Sequence, residues 1–245
     1  MCGRFNVTTD PLSTLMMELV GLQHPGPDNF NTAPTETVTV LRLDQAGEPE
    51  LVPMRWWLTP YWAKQPSTKY SMFNAKSETA HKSPAFKEPF KKRRCVVPIL
   101  GFYEWQKANT IPSAAGTSPV AAGAQKCPFF ITPSERAGML LAGLWDRWHD
   151  KTTGAVIESF TVMTTAAHAA LEFVHRRQPV MLSLGDAHRW LDRGVDGEEL
   201  IDVFASRLPM ALDAIPVSTY VNNARNKDSR CVDPIGAPVH IGSGT

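Results

Sequence analysis

Apolar residues recur at helical spacing in TDPLSTLMMELVG, where Leu12, Leu15, Met16 and Leu19 share one face, Asp10 stands ready to cap, Pro11 takes the first helical position and Gly21 follows the last turn. An amphipathic helix is predicted there. The alternating TVTVLRL near residue 40 and the short apolar runs CVVPIL, PFFIT, GMLLAGLW, IESFTVMTT, PVML and AIPVSTYV predict strands, being rich in β-branched and aromatic residues. AAHAALEFVH and DGEELIDVFASRL carry helical periodicity, and GDAHRWLDRG carries it more weakly. Strands and helices do not alternate regularly. That order argues against a doubly wound parallel sheet and for an α+β fold, a single domain over 1–245 with a largely antiparallel, barrel-like β core and flanking helices. The small, polar stretch 107–126, KANTIPSAAGTSPVAAGAQK, falls between the strand-like FYEW and PFFIT. It is expected to be a loop insertion within the domain, not a linker between two.

Length adds that 245 residues with 43% hydrophobic content can bury a full core. No apolar run approaches the roughly 20 residues that span a bilayer, and no charged segment followed by a hydrophobic one opens the chain. A soluble, cytoplasmic protein is expected, nucleoid-associated if bacterial. Cys2, Cys95, Cys127 and Cys231 are scattered without C-x-x-C or H-x-x-x-H spacing, so neither a disulfide framework nor a metal site is indicated. Cys95, inside CVVPIL, reads as core. Neither G-x-G-x-x-G nor a phosphate-binding G-K-[ST] occurs, which disfavours a nicotinamide or ATP enzyme; no cofactor is expected.

The net charge of +1 hides an asymmetry. Lys64, Lys69, Lys76, Lys82, Lys87, Lys91, Lys92, Arg93 and Arg94 face only Glu78 and Glu88 between residues 64 and 94. A basic groove on a neutral body would neutralise phosphates at one site. A solvated, lysine-rich helix face at KEPFKKRR would explain the last four charges equally well.

Four constellations could carry chemistry. MCGRF places Cys2 where removal of Met1 would create a 1,2-aminothiol, with an α-amine and a thiol on one residue. FNAKSET holds Asn74, which also suits a turn or cap. GFYEW sets Glu104 in a strand-like apolar run, where a carboxylate is paired, faces a cavity or points to solvent. VHRRQP places His175 at the end of a predicted helix, where a histidine can simply cap the dipole, and the Arg176–Arg177 pair can bind phosphate or do the same.

Taken in order, MCGRF, RWWLTPYWAK, NAKSET, RCVVPILGFYEW, VHRRQP and VNNARN closely resemble the SRAP family, named for SOS-response-associated peptidases, over nearly the whole chain. The resemblance implies the SRAP fold and processing of abasic sites in single-stranded DNA, with an exposed Cys2 forming a thiazolidine crosslink to the ring-opened sugar. It implies that Glu104 holds or deprotonates the Cys2 amine, that His175 assists ring opening, and that Asn74 fixes the thiazolidine. Arg4, Lys76 and Arg177 would clamp phosphates, Gly3 would allow close approach, and Trp57 and Trp62 would offer faces to bases, although at least one of Trp56 and Trp62 is expected in the core. A monomer with weak lyase activity and self-processing at Met1 is implied, acting on single-stranded DNA and no membrane.

Four positions depart from the family pattern. Lys76 stands for arginine, Trp57 for glycine, Gln178 for methionine and Ala224 for proline. Trp57 either adds a stacking surface or narrows the groove. Two other classes stay open at this level: an N-terminal cysteine amidohydrolase, and a non-covalent single-strand binding module.

Overall fold

In the computed structural model, which describes residues 2–106 and 126–243, the chain begins with a short strand, β1 (Phe5–Val7), and turns into helix α1 (Thr9–Val20). Leu12, Met16 and Leu19 are buried on one face, as their spacing predicts. Gly21 ends the helix at φ 72°, in the left-handed region that a residue without Cβ adopts cheaply. The start differs from expectation. Asp10 lies inside the first turn, and the capping acceptor is Asp28, whose Oδ1 takes the Thr9 N–H at 2.7 Å and the Thr9 hydroxyl at 2.8 Å. A cap supplied from 19 residues downstream leaves no local pattern to read.

The remaining strands are β2 (Asn29–Thr32), β3 (Thr37–Leu43), β4 (Pro49–Trp56), β5 (Asn74–Lys76), β6 (Arg94–Ile99), β7 (Gly101–Gln106), β8 (Cys127–Pro133), β9 (Met139–His149), β10 (Val156–Ala166), β11 (Arg177–Pro179), β12 (Met181–Leu182), β13 (Leu212–Pro216) and β14 (Val239–Ile241). They form two sheets. One runs β14-β13-β8-β7-β1-β2, and the other β11-β10-β4-β3-β6-β9-β12, with β5 also on β10. Because β9 pairs back onto β10, the strands β10, β4, β3, β6 and β9 close a five-stranded barrel. Only β10 with β4 and β10 with β5 are parallel among the described pairings. The α+β architecture with a largely antiparallel, barrel-like core is therefore observed. Phe5, Trp56 and Phe160 pack in its core, with Trp56 centroids 4.3 Å from Phe5 and 6.4 Å from Phe160.

Helices α2 (Ser77–Ala80), α3 (Lys87–Lys92) and α4 (Leu184–Leu191) flank the sheets. The weakly periodic GDAHRWLDRG forms α4 because Ser183 and Asp186 make a reciprocal capping box and Trp190 is fully buried. DGEELIDVFASRL folds instead as a 3-10 helix, Gly197–Phe204, opened by a second box from Asp196 and Glu199. AAHAALEFVH does not form the predicted helix. A single 3-10 turn, Ala169–Leu171, is followed by turns, because the Ala167 N–H donates to the Arg176 carbonyl at 3.0 Å and closes the segment between β10 and β11. Gln178, buried, adds a second tie, accepting the His168 N–H at 2.7 Å and donating to the Arg207 carbonyl at 3.2 Å. Methionine could not donate to that carbonyl and would accept only weakly. Apart from Lys126, the expected insertion at 107–126 lies outside the described residues.

Candidate active site

Cys2 is fully buried, not exposed as the resemblance implies, in the same apolar cluster as Phe5, Phe102 and Phe129. Its carbonyl accepts a 2.8 Å hydrogen bond from Asn74 Nδ2. Asn74 opens β5, and parallel pairing of Asn74 with Val162 on β10 carries it to the chain start. The Asn74 Oδ1 is buried and has no partner among the described residues.

Glu104 faces inward. It sits on β7 between β8 and β1, opposite Phe129, and is 5% exposed. Period-2 alternation puts Phe102, Glu104 and Gln106 on the face toward Cys2, while Tyr103 and Trp105 pack in a separate cluster around Phe130. Burial pushes the Cys2 thiol well above its ordinary range, and the negative charge of Glu104 pushes it further. The thiol therefore rests protonated.

His175 lies in the turn before β11 and does not cap a helix. Its Nδ1 lies 3.0 Å from the backbone N–H of Arg177, which it accepts when the proton is on Nε2, and 3.2 Å from the Arg177 carbonyl, to which it donates in the other tautomer. This turn is fastened to the Glu104 face. Gln106 Nε2 donates to the Phe173 carbonyl at 3.2 Å, and the Phe173 ring stands edge-on to Phe129 at 5.7 Å.

The charged residues divide by environment. Arg4 is half-buried beside half-buried Gly3 and donates to Asn31 Oδ1 at 2.8 Å and to the Val221 carbonyl at 2.9 Å. Asn31 in turn donates to the carbonyls of Val221, Asn223 and Asn226, so the VNNARN segment, Ala224 included, is anchored through its backbone. Arg177 makes a two-pronged ion pair with Glu78 and a 2.6 Å bond to the Thr164 carbonyl. That pairing holds the Glu78 carboxyl below the usual range. Among the nine basic residues of the 64–94 run, the seven lysines, Lys76 among them, are exposed. Arg93 instead pairs with buried Asp146 at 3.2 Å, and buried Arg94 serves the carbonyls of Trp190, Phe90 and Val195.

Trp56 is core, Trp62 is 54% exposed, and Trp57 is half-buried, its Nε1 donating to the Ser67 carbonyl at 3.2 Å and its ring 5.4 Å from Phe73. Sequence reasoning missed Glu78 and Asn31 as parts of this region. Glu78 follows Lys76 at two residues in NAKSET, but its partner is 99 residues away. No group of three or more His, Cys, Asp or Glu among the described residues could hold a metal ion.

The family model described as "SOS response associated peptidase (SRAP)" matches residues 1–224. The chain is similar to the abasic site processing protein YoqW of Bacillus subtilis, at 26% identity over 95% of this chain and 99% of the relative. It is also similar to the abasic site processing protein HMCES of Xenopus tropicalis, at 33% identity over 78% of this chain and 59% of that protein. A crystal structure of a Bordetella bronchiseptica protein superposes with a TM-score of 0.71 at 23% identity, covering 89% of this chain and all of the other. The chain belongs to the SRAP family.

Proposed function

We propose that this protein processes abasic sites in single-stranded DNA, as a monomer, and caps them through Cys2 once Met1 has been removed. The observation that carries the reading is the Cys2 carbonyl held by Asn74, with the Glu104 charge bearing on the Cys2 thiol. The relatives' names, abasic site processing proteins, support the abasic site as the lesion handled.

The chemistry divides among the residues as follows. His175 Nε2–H gives its proton to the sugar ring oxygen as its bond to C1′ breaks, while the C1′ hydroxyl proton passes through solvent water back to His175 and C1′ becomes the aldehyde, with no net change in protons. Glu104 takes the proton from the Cys2 ammonium. The free amine adds to C1′ and water leaves, giving an imine. The Cys2 sulfur then adds to the imine carbon and its proton ends on nitrogen, closing a five-membered thiazolidine with net loss of one water. A thiol kept protonated by burial leaves the first attack to the amine. Asn74 Oδ1, a buried acceptor, suits the ring N–H.

The imine also acidifies C2′, so loss of that proton and of the 3′ phosphate gives weak lyase activity. Lys76, exposed beside Asn74, and Arg177, once released from Glu78, supply contacts to phosphates. Peptidase activity is confined to removal of Met1.

The test mixes purified protein with single-stranded DNA, intact or carrying one abasic site, on a denaturing gel. A heat-stable slow band is expected with the abasic strand alone, from protein whose intact mass lacks Met1. A stable band from Cys2→Ala, or full activity with Met1 retained, overturns the reading. Lesion-indifferent binding without a covalent product indicates a binding module, and amide turnover without DNA indicates an amidohydrolase.

A further inference from the structure

We propose that two buried glutamines, Gln106 and Gln178, are positioning residues that place the His175 ring for opening of the sugar, a role that rests on the assignment of ring opening to His175 above. His175 is carried by the connection from β10 to β11, residues 167–176, whose regular structure is one 3-10 turn, Ala169–Leu171. Connections of this kind move more than the strands that they join. Proton transfer to the ring oxygen nevertheless needs the imidazole within hydrogen-bond reach of it, and a displacement of about 1 Å can cost roughly 100-fold in rate.

Bonds within the segment set its shape but not its place. The Leu171 carbonyl accepts the N–H groups of Val174 at 3.0 Å and His175 at 3.2 Å, and the Ala167 N–H closes on the Arg176 carbonyl at 3.0 Å. The glutamines tie that shape to the rest of the protein at both ends. Gln106 Nε2 donates to the Phe173 carbonyl at 3.2 Å, two residues before His175. Gln106 stands on the same face of β7 as Glu104, about 7 Å further along the strand, so one strand carries both the carboxylate and the prop of the histidine turn. At the other end, Gln178 Oε1 accepts the His168 N–H at 2.7 Å and its Nε2 donates to the Arg207 carbonyl at 3.2 Å. Arg207 is itself held, its guanidinium bonding Asp186 Oδ2 at 2.8 Å in the capping box of α4.

Both amides are buried, where an apolar side chain of the same length would fill the volume without the cost of drying an amide. Both spend their hydrogen bonds on the backbone of the one segment that carries His175 or on its anchor. Asn74 reaches the Cys2 carbonyl from β5, with no bond to this segment. Loss of a glutamine should therefore slow ring opening and spare the attack of Cys2 on an aldehyde that is already open.

The experiment follows single-turnover crosslinking at saturating protein on two single strands. One carries a natural abasic site, and the other an acyclic aldehyde analogue that lacks the 4′-hydroxyl and so cannot form the ring. Gln106→Met, close in shape but without the donor, is expected to be about tenfold slower than wild type on the natural site and equal to it on the analogue. In a His175→Ala background the same substitution is expected to cost nothing further. Equal slowing on both strands, added slowing without His175, or a wild-type rate on the natural site overturns the proposal. Should Gln106→Met fail to fold, Gln178→Met, which strips the partners from His168 and Arg207, goes through the same comparison with the same outcomes. If wild type crosslinks neither strand, the underlying reading fails instead, and placement is read directly from the His175 ring signals in 1H–15N spectra. Signals displaced in Gln106→Met support the tie, and signals identical to wild type overturn it.

Discussion

Asn74 Nδ2 donates to the Cys2 carbonyl at 2.8 Å, joining the start of the chain to β5 across 72 residues. The bond holds the backbone of the reacting residue from the side where β5 and β10 run parallel. It leaves the Asn74 Oδ1 buried without a partner among the described residues, a cost of about 1–3 kcal/mol. Such an acceptor is repaid when a donor arrives beside it.

Asn74→Ala removes both functions of that amide. The loss of about 1–2 kcal/mol of positioning corresponds to roughly 5- to 30-fold slower adduct formation. Single-turnover crosslinking on a denaturing gel measures it. Asn74→Asp should be slower still, since a carboxylate would then face the Cys2 carbonyl oxygen. Rates equal to wild type would remove Asn74 from the mechanism.

Cys2→Ser separates the two covalent steps. The amine survives, so an imine still forms and borohydride still traps it. The stable, heat-resistant product should fall by about 100-fold or more, because an alcohol is a far weaker nucleophile than a thiol toward the imine carbon. Strand cleavage should rise at the same time, as the imine is no longer drained into the ring. Equal amounts of stable product from Cys2→Ser and wild type would count against ring closure by sulfur.

Glu78→Gln frees the Arg177 fork. With its end-on face no longer filled by a carboxylate, Arg177 should bind a phosphate, tighten binding of single strands several-fold, and steepen the plot of log K against log salt by about 0.7. Titrations at about 50 and 200 mM salt decide it. A weaker complex would mean that Glu78 serves to aim Arg177 and not to occupy it.

Stability should fall in alkali. Burial pushes the Cys2 and Cys95 thiols above their ordinary value of 9.0, with Glu104 adding to the effect at Cys2. The native state keeps protons that the unfolded chain gives up, so the stabilisation is complete below about pH 9 and is lost as pH rises further. Urea midpoints at about pH 7.5, 9 and 10.5 should decline in that order, and Cys95→Ala should decline less steeply. A midpoint that rises with pH would contradict the sign.

Arg94 and Lys76 should separate cleanly. Arg94→Met strips donors from the buried carbonyls of Trp190, Phe90 and Val195 and should cost about 3 kcal/mol of stability with no change in the salt dependence of DNA binding. Lys76→Ala, at an exposed position, should leave the urea midpoint within error and flatten the salt dependence.

Local pattern alone determined the apolar face of α1, the run of strands, the mixed α+β class and the scattered, unpaired cysteines, because periodicity and turn chemistry depend on neighbours a few residues apart. The ordered motifs also named Asn74 and Glu104, which the fold brings to Cys2. What tertiary structure decided is which way each polar group faces and what it meets. Glu104 is buried, not turned to solvent, because both faces of β7 are covered, that of Phe102 by the cluster holding Cys2 and that of Tyr103 and Trp105 by the cluster around Phe130. The segment at 167–176 became a turn when β10 and β11 paired, which took His175 off a helix end. Two arginines of the basic run were drawn inside, and Arg177 found Glu78. Each of these outcomes rests on a partner contributed by a distant part of the chain, and a hydrogen bond across tens of residues leaves no trace in the spacing of either end.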